Sequence, residues 1–201
     1  MDLLFALCAL VLLSPLLLGI AILVRINLGS PVLFKQERPG YREEIFTLYK
    51  FRTMTDERDQ KGCLLPNSRR LTKFGRFLRA TSLDELPELL NILKGEMSFI
   101  GPRPLAIEYL PYYTNEERAR HAVRPGLSGL AQINGRNTAS WEQRFQYDLE
   151  YIANITFAGD IKIMVKTIVK VINGSDVGEL GVDTPIDFDQ YRKEEQKTSL
   201  N

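Results

Sequence analysis

The chain opens on a stretch with no alternation at all. Residues 3–24 carry no formal charge, and at about 1.5 Å per residue they reach roughly 33 Å, the thickness of a bilayer core. A secretory signal fits poorly: its apolar region would be shorter, a basic start is missing and no small-x-small cleavage site follows. The run therefore reads as a membrane segment that stays. Ser14-Pro15 sits in its middle. Proline removes the amide that would bond the Val11 carbonyl, and its ring crowds that turn. In hydrocarbon the lone carbonyl is expensive, so the Ser14 hydroxyl or a sharp reorganisation must compensate. Two topologies fit. One is a kinked spanning helix, which sequence physics alone favours. The other is a helix-break-helix that enters and leaves by one leaflet, with halves of about 11 residues that are each too short to span. In both, Arg25, Lys35, Arg38 and Arg42 follow closely and assign the remainder to the cytoplasmic side.

Beyond this run the period changes. Residues 31–36 read as a short strand ended by the Arg38-Pro39-Gly40 turn. Residues 44–54 read as a second strand, with Lys50 and Arg52 on one face and Tyr49 and Phe51 on the other. A polar loop over 56–68 leads to an amphipathic helix over 71–80, whose stripe of Leu71, Phe74, Phe77 and Leu78 is flanked by Arg69, Lys73, Arg76 and Arg79. It suits a core or an anionic lipid surface equally. Ser82-Leu83-Asp84-Glu85 matches a capping box, although Pro87 favours a start nearer Asp84. A turn at Lys94-Gly95 and a Gly101-Pro102-Arg103-Pro104 corner follow. Short helices are predicted over 105–111 and 115–122, then a glycine-rich section from Arg124 to Asn137. Another helix starts at Ser140 with Gln143 completing a capping box. Residues 160–172 put Ile161, Met164, Val165, Ile168 and Ile172 on one stripe, which fits core packing and membrane docking alike. After 175 the apolar period is lost. The fold class is α+β, mainly helical: a membrane segment over 1–26, a cytoplasmic domain over 27–174 with short strands and interfacial amphipathic helices, and a polar, flexible tail over 175–201.

Composition adds mostly exclusions. Across 201 residues, 26 basic residues face 25 acids for a net charge of +1, which gives no signal for nucleic acid. The cations cluster at 35–52 and 69–79, as solvated faces or as a surface for anionic lipid or polyphosphate. Cys8 and Cys63 have no zinc spacing, and His121 is the only histidine. Nucleophilic or acid–base work therefore falls to carboxylates.

The best carboxylate candidates are Asp84 and Glu85. At a helix start a carboxylate stays ionised and a phosphate is welcome. An ionised carboxylate can attack phosphorus to form an acyl phosphate, with Mg²⁺ and arginine forks masking the phosphate charge. Arg103, between Pro102 and Pro104, is such a fork with little backbone freedom to lose. The plainer reading of the same stretch is a capped helix followed by a proline turn. Gly126, Gly129 and Gly135, beside Arg124 and Arg136, allow the backbone to approach a ligand. Asp148 suits a hydrogen bond to a ribose or base, or a merely exposed helix position. A glycosidase is disfavoured, because neighbouring carboxylates on one helix do not flank a sugar ring.

Together the Ser14-Pro15 segment, FKQERPG (34–40), YKFRTM (49–54), SLDELPELLNILKGEMSFIGPRP (82–104), RPGLSGLAQINGRN (124–137) and WEQRFQYD (141–148) resemble the monotopic bacterial phosphoglycosyl transferases, in that family's order. The resemblance implies that Asp84 attacks the β-phosphorus of a UDP-sugar beside Glu85. UMP leaves, and undecaprenyl phosphate then takes the phosphosugar. It implies Mg²⁺ held near Asp84 and Glu85. It also implies phosphate or nucleotide contacts from Lys50, Arg79, Arg103, Arg136 and Asp148, and a re-entrant break at Ser14-Pro15, reversing the preference above. The implied location is the cytoplasmic face of the bacterial inner membrane, with membrane lipid around the anchor and downstream glycosyltransferases receiving the product. Short relatives often take N-acetylated amino or deoxyamino sugars. The alternative is a membrane-anchored scaffold of a polysaccharide-assembly complex that uses the same basic face without turnover.

Overall fold

The structure is a computed structural model that describes residues 2–135, 139–173 and 187–199. It is mostly helical with two small two-stranded sheets. Helix α1 (Asp2–Leu28) stays helical on both sides of Pro15. The Ser14 hydroxyl donates to the Val11 carbonyl at 2.8 Å, supplying the donor that Pro15 lacks. One stripe of α1, made by Ala6, Leu10, Leu13, Leu17, Ile20, Val24 and Leu28, packs on the rest of the chain. These positions recur every three or four residues, as one helix face requires. The opposite face leaves Leu4, Val11, Leu12, Leu18 and Ile26 exposed.

Strand β1 (Leu33–Pro39) pairs antiparallel with β2 (Ile45–Phe51), Leu33 opposite Phe51 and Pro39 opposite Ile45. Phe46 and Leu48 alternate into a core shared with Ala6, Leu89, Ile92 and Met97. Lys50, two residues further on, continues that side toward the site described below. Two short helices follow, α2 (Asn67–Arg70) and α3 (Lys73–Ala80). Thr72 caps α3 by accepting from the Gly75 amide at 3.0 Å. A 3₁₀ turn, Leu83–Glu88, runs into α4 (Leu89–Leu93). Asn91 is fully buried and fixes α4 to β2: its Oδ1 accepts from the Tyr49 amide at 3.1 Å, and its Nδ2 donates to the Thr47 carbonyl at 2.6 Å.

Strand β3 (Ser98–Ile100) pairs in parallel with β4 (Gly126–Ser128). This sheet was not expected. It depends on close backbone approach, since a Cβ on Gly126 would lie 2.1 Å from the Gly101 nitrogen. Gly101 and Gly126 thus serve contact between the two strands. Helices α5 (Leu130–Asn134) and α6 (Trp141–Ala153) follow, α6 with the expected Ser140–Gln143 capping box. On α7 (Phe157–Asn173), Ile163 is buried while Ile161, Val165, Ile168 and Val169 are exposed. Much of the stripe noted in the sequence therefore faces outward.

The tail expectation needs correction. Residues 174–186 lie outside the described residues, but 187–199 are not a free tail: α8 (Phe188–Ser199) docks on the domain. Phe188 is fully buried among Tyr109, Tyr113, Trp141 and Phe145, and Arg192 pairs with Glu117. Burial of Phe188, with Tyr191 packed beside it, holds this short polar helix in place.

Candidate active site

Ser82 takes a left-handed conformation (φ 54°) and makes no capping bond. The capping box expected at Ser82–Glu85 therefore does not form. Instead the chain turns sharply into the 3₁₀ turn, where Leu83 and Leu86 pack toward Leu78 and α1. Asp84 and Glu85 are thereby turned toward β2 and the Gly101–Pro104 corner. Glu85 Oε1 accepts from Lys50 Nζ at 2.7 Å and from the Arg103 guanidinium. Burial would raise the Glu85 carboxyl, but Arg103 and Lys50 outweigh it and hold the group well below the usual carboxylate range. Glu85 is a fixed anion.

Asp84 differs from its neighbour. It is 8% exposed, and among the described residues no donor reaches its carboxylate by a hydrogen bond. Burial and the adjacent Glu85 push its carboxyl up to about 6, against the pull of Lys50, Arg79 and Arg103. An ionised, largely buried carboxylate oxygen facing several cations is what a nucleophile toward a phosphoanhydride needs. Arg79 donates to Thr53 Oγ1 at 3.0 Å, and the Arg79 guanidinium also acts on Asp84. These groups share one wall of a cavity of about 1350 Å³. Elsewhere that cavity is lined by apolar side chains, among them Phe34, Met54, Leu83, Ile168 and Val171.

The structure thus brings together Lys50, Arg79, Asp84, Glu85 and Arg103. Arg136 lies outside the described residues. Asp148 also lines the cavity but is 4% exposed, and its Oδ2 accepts from Arg120 Nε at 3.0 Å and Nη2 at 2.8 Å. Arg120 also donates to Tyr113 Oη at 3.2 Å and to the Arg103 carbonyl at 2.8 Å. Asp148 therefore acts on the site through Arg120, which grips the backbone of the residue that grips Glu85. The corner itself is held by backbone bonds, Gly101 N to Ser128 O at 2.9 Å and Gly126 N to Pro102 O at 3.0 Å.

Three residues were not singled out as site residues from the sequence. Glu88 is 2% exposed and lies 3.1 Å from Lys50 Nζ, and burial raises its carboxyl although Lys50 opposes. Arg38 bonds Gln36 and leaves its buried Nε without a partner among the described residues. Arg120 is the third. Glu88 sits three residues after Glu85, on the same side of a tight turn, which is the one local signal that was available. For Arg120 no local signal exists.

The family model described as bacterial sugar transferase matches residues 1–174 of this chain. The chain is 56% identical over 159 residues to an uncharacterised sugar transferase, EpsL, of Bacillus subtilis, covering 79% of each protein. It is 40% identical over 182 residues to a UDP-glucose:undecaprenyl-phosphate glucose-1-phosphate transferase of Xanthomonas campestris, covering 85% of this chain and 38% of that protein. It is 37% identical over 182 residues to a UDP-N-acetylgalactosamine-undecaprenyl-phosphate N-acetylgalactosaminephosphotransferase of Aeromonas hydrophila, covering 87% of this chain and 43% of that one. The chain thus spans about two fifths of the length of these last two relatives.

Proposed function

The chain belongs to the bacterial sugar transferase family, and from that premise we propose that it moves a sugar 1-phosphate from a UDP-sugar to undecaprenyl phosphate by way of Asp84. The observation that carries this reading is the Asp84 carboxylate, without a hydrogen-bond donor among the described residues and facing Lys50, Arg79 and Arg103 in the wall of the large cavity.

In the first step an Asp84 oxygen attacks the β-phosphorus of the donor. The bond from that phosphorus to the bridging oxygen breaks, and UMP leaves with the bridging oxygen and its electron pair. Asp84 then carries the phosphosugar as a mixed anhydride. In the second step a phosphate oxygen of undecaprenyl phosphate attacks the same phosphorus. The Asp84–phosphorus bond breaks, and the free carboxylate and undecaprenyl diphosphosugar result. Lys50 and Arg103, anchored on Glu85, and Arg79 face the charge that builds on the phosphoryl oxygens. Glu85 holds these cations in register rather than attacking. The apolar part of the cavity wall suits the prenyl chain.

Among the described residues no group of three or more His, Cys, Asp or Glu could hold a metal unaided. Mg²⁺ is commonly held by one or two carboxylates with substrate phosphates completing its shell, and Asp84 with Glu85 Oε2 fits that donor set. When bound there, it would neutralise diphosphate charge.

For the anchor we propose a re-entrant course into the cytoplasmic leaflet of the bacterial inner membrane. Asp2 Oδ2 accepts from Ser98 Oγ at 2.6 Å, while Leu28 at the other end packs with Phe51 and Leu78. Both ends of α1 therefore touch the same domain, which a helix crossing the bilayer away from that domain would not do. The exposed apolar face of α7 suits the same lipid surface. A label at the N-terminus and one at Cys63, exposed in the loop before α2, should react from the same side of sealed inner-membrane vesicles. Reaction from opposite sides would establish the kinked spanning helix instead.

The reaction is tested by UMP release across a panel of UDP-sugars with undecaprenyl phosphate and Mg²⁺. N-acetylated amino sugars are the donors expected to work. Release strictly dependent on one or a few sugars is the expected result, whereas no release from any donor would leave the scaffold reading in its place.

A further inference from the structure

A second cavity, of about 570 Å³, adjoins the first. The two share Gln36, Arg38, Lys50 and Arg103 in their walls, so they meet at the cations assigned above to the donor's diphosphate. Their linings differ. The large cavity is broad and largely apolar. The small one is of mixed character: Leu48, Leu105 and Trp141 line it together with Glu88, Glu108, Tyr109 and the α8 start at Asp187, Asp189 and Gln190.

The stereochemistry of two successive displacements leaves a place for it. In each step the attacking and leaving oxygens lie roughly in line through the phosphorus. Asp84 attacks opposite UMP. Undecaprenyl phosphate must later attack opposite Asp84, so it enters where UMP left. One large cavity can therefore serve nucleotide and lipid in turn. The sugar is not part of that line: it stays on the phosphorus through both steps and needs room of its own beside the shared cations.

We infer that the second cavity holds the donor's sugar and that the first turn of α8 reads it; this rests on the reading of Asp84 as the attacking group. The walls are built for the purpose. Phe188 is fully buried and fixes the turn, and Tyr109 Oη donates to Asp187 Oδ1 at 3.1 Å, tying the α8 start to the rest of the lining. Glu88 Oε1 is buried at the shared end with no hydrogen-bond donor among the described residues apart from its ion pair with Lys50, so it can accept from a sugar hydroxyl. With Glu108, Asp187 and Asp189 around it, the cavity suits a neutral or amino-bearing hexose, whose hydroxyl and amide N–H groups donate to carboxylates. A uronic acid would meet like charge. The family match ends at residue 174, so the α8 wall is additional to the matched region and would tune the sugar separately from the chemistry.

The test uses the full chain in membranes and the donor that supports UMP release. Gln190 is exposed on α8, and Gln190→Trp narrows the cavity without touching the cation cluster. It is expected to raise KM for the UDP-sugar by about tenfold or more while leaving the melting temperature and inhibition by UMP, which lacks the sugar, unchanged. Glu108→Lys should raise the kcat/KM ratio of UDP-glucuronate to UDP-N-acetylglucosamine by a similar factor. Weaker UMP inhibition in Gln190→Trp would assign the cavity to the nucleotide and overturn the inference. Unchanged KM and sugar preference in both variants would overturn it as well. A wild-type chain that releases UMP from no donor defeats the underlying reading instead.

Discussion

Replacing Asp84 with Asn is expected to abolish turnover while making the protein more stable. Turnover should fall by at least about 10⁴-fold, the scale seen when a nucleophile is removed. The phosphosugar adduct, detectable on the intact wild-type chain by mass spectrometry, should be missing from the variant. The stability gain follows from the environment of the carboxyl. Its pKa rises from 3.8 to about 6 in the folded chain. Folding therefore favours the protonated form, and that favour is complete below the unfolded value and disappears as pH rises through about 6. At neutral pH the ionised group costs the fold about 3 kcal/mol. An amide of the same shape removes the charge but must itself be hydrated or bonded, so the net gain is about 1–3 kcal/mol and several degrees in melting temperature. The same shift predicts that wild-type kcat/KM for the donor declines as pH drops below about 6. Retained UMP release in Asp84→Asn would rule out the covalent route. A lower melting temperature would mean that the carboxylate is satisfied in the fold rather than held in readiness.

This tension explains why the Asp84–Glu85 pair stands out in the sequence while its geometry does not. Two carboxylates before Leu86-Pro87 read equally well as a helix cap. Local spacing cannot say whether Glu85 turns back to the Ser82 amide or across to Lys50 and Arg103, because both cations come from other elements, 35 and 18 residues away. Two charge-assisted contacts to a buried carboxylate outweigh one neutral cap, and Ser82 moves to positive φ. Elements carrying their own periodic or capping signal were legible: α1, the β1–β2 pair and the start of α6. Strands β3 and β4 were not, being three residues each and joined by a non-local pairing whose only trace is glycine at 101 and 126. Helix α8 carries no signal because its composition is polar, and Phe188, the residue that docks it most deeply, looks like any isolated aromatic until the Tyr113–Trp141–Phe145 pocket exists around it.

Arg120 is the residue whose importance arises wholly from tertiary structure, and Arg120→Met is expected to cost about 3–5 kcal/mol, because it leaves Asp148 buried without its cation. Loss of stability alone would not separate a packing role from a role in the site. The double variant Arg120→Met/Asp148→Leu does, since replacing both members of a buried ion pair by apolar groups is often close to neutral. Its melting temperature should return near that of the wild type. Its kcat/KM should stay reduced by about 10–100-fold, because the Arg103 carbonyl has lost the donor at 2.8 Å that orients the Pro102–Pro104 corner. Arg103 would still pair with Glu85, but from a backbone free to drift, so the loss should appear mainly in kcat rather than in donor KM. Arg120→Lys keeps the charge yet should rescue only part of the rate, since an ammonium lacks the planar fork that reaches Asp148, Tyr113 and the Arg103 carbonyl together. Full activity in the stable double variant would show that the pair only fills the interior. Reduced activity at restored stability would show that Asp148, 64 residues after Asp84 in the sequence, reaches the chemistry through one guanidinium and one backbone carbonyl.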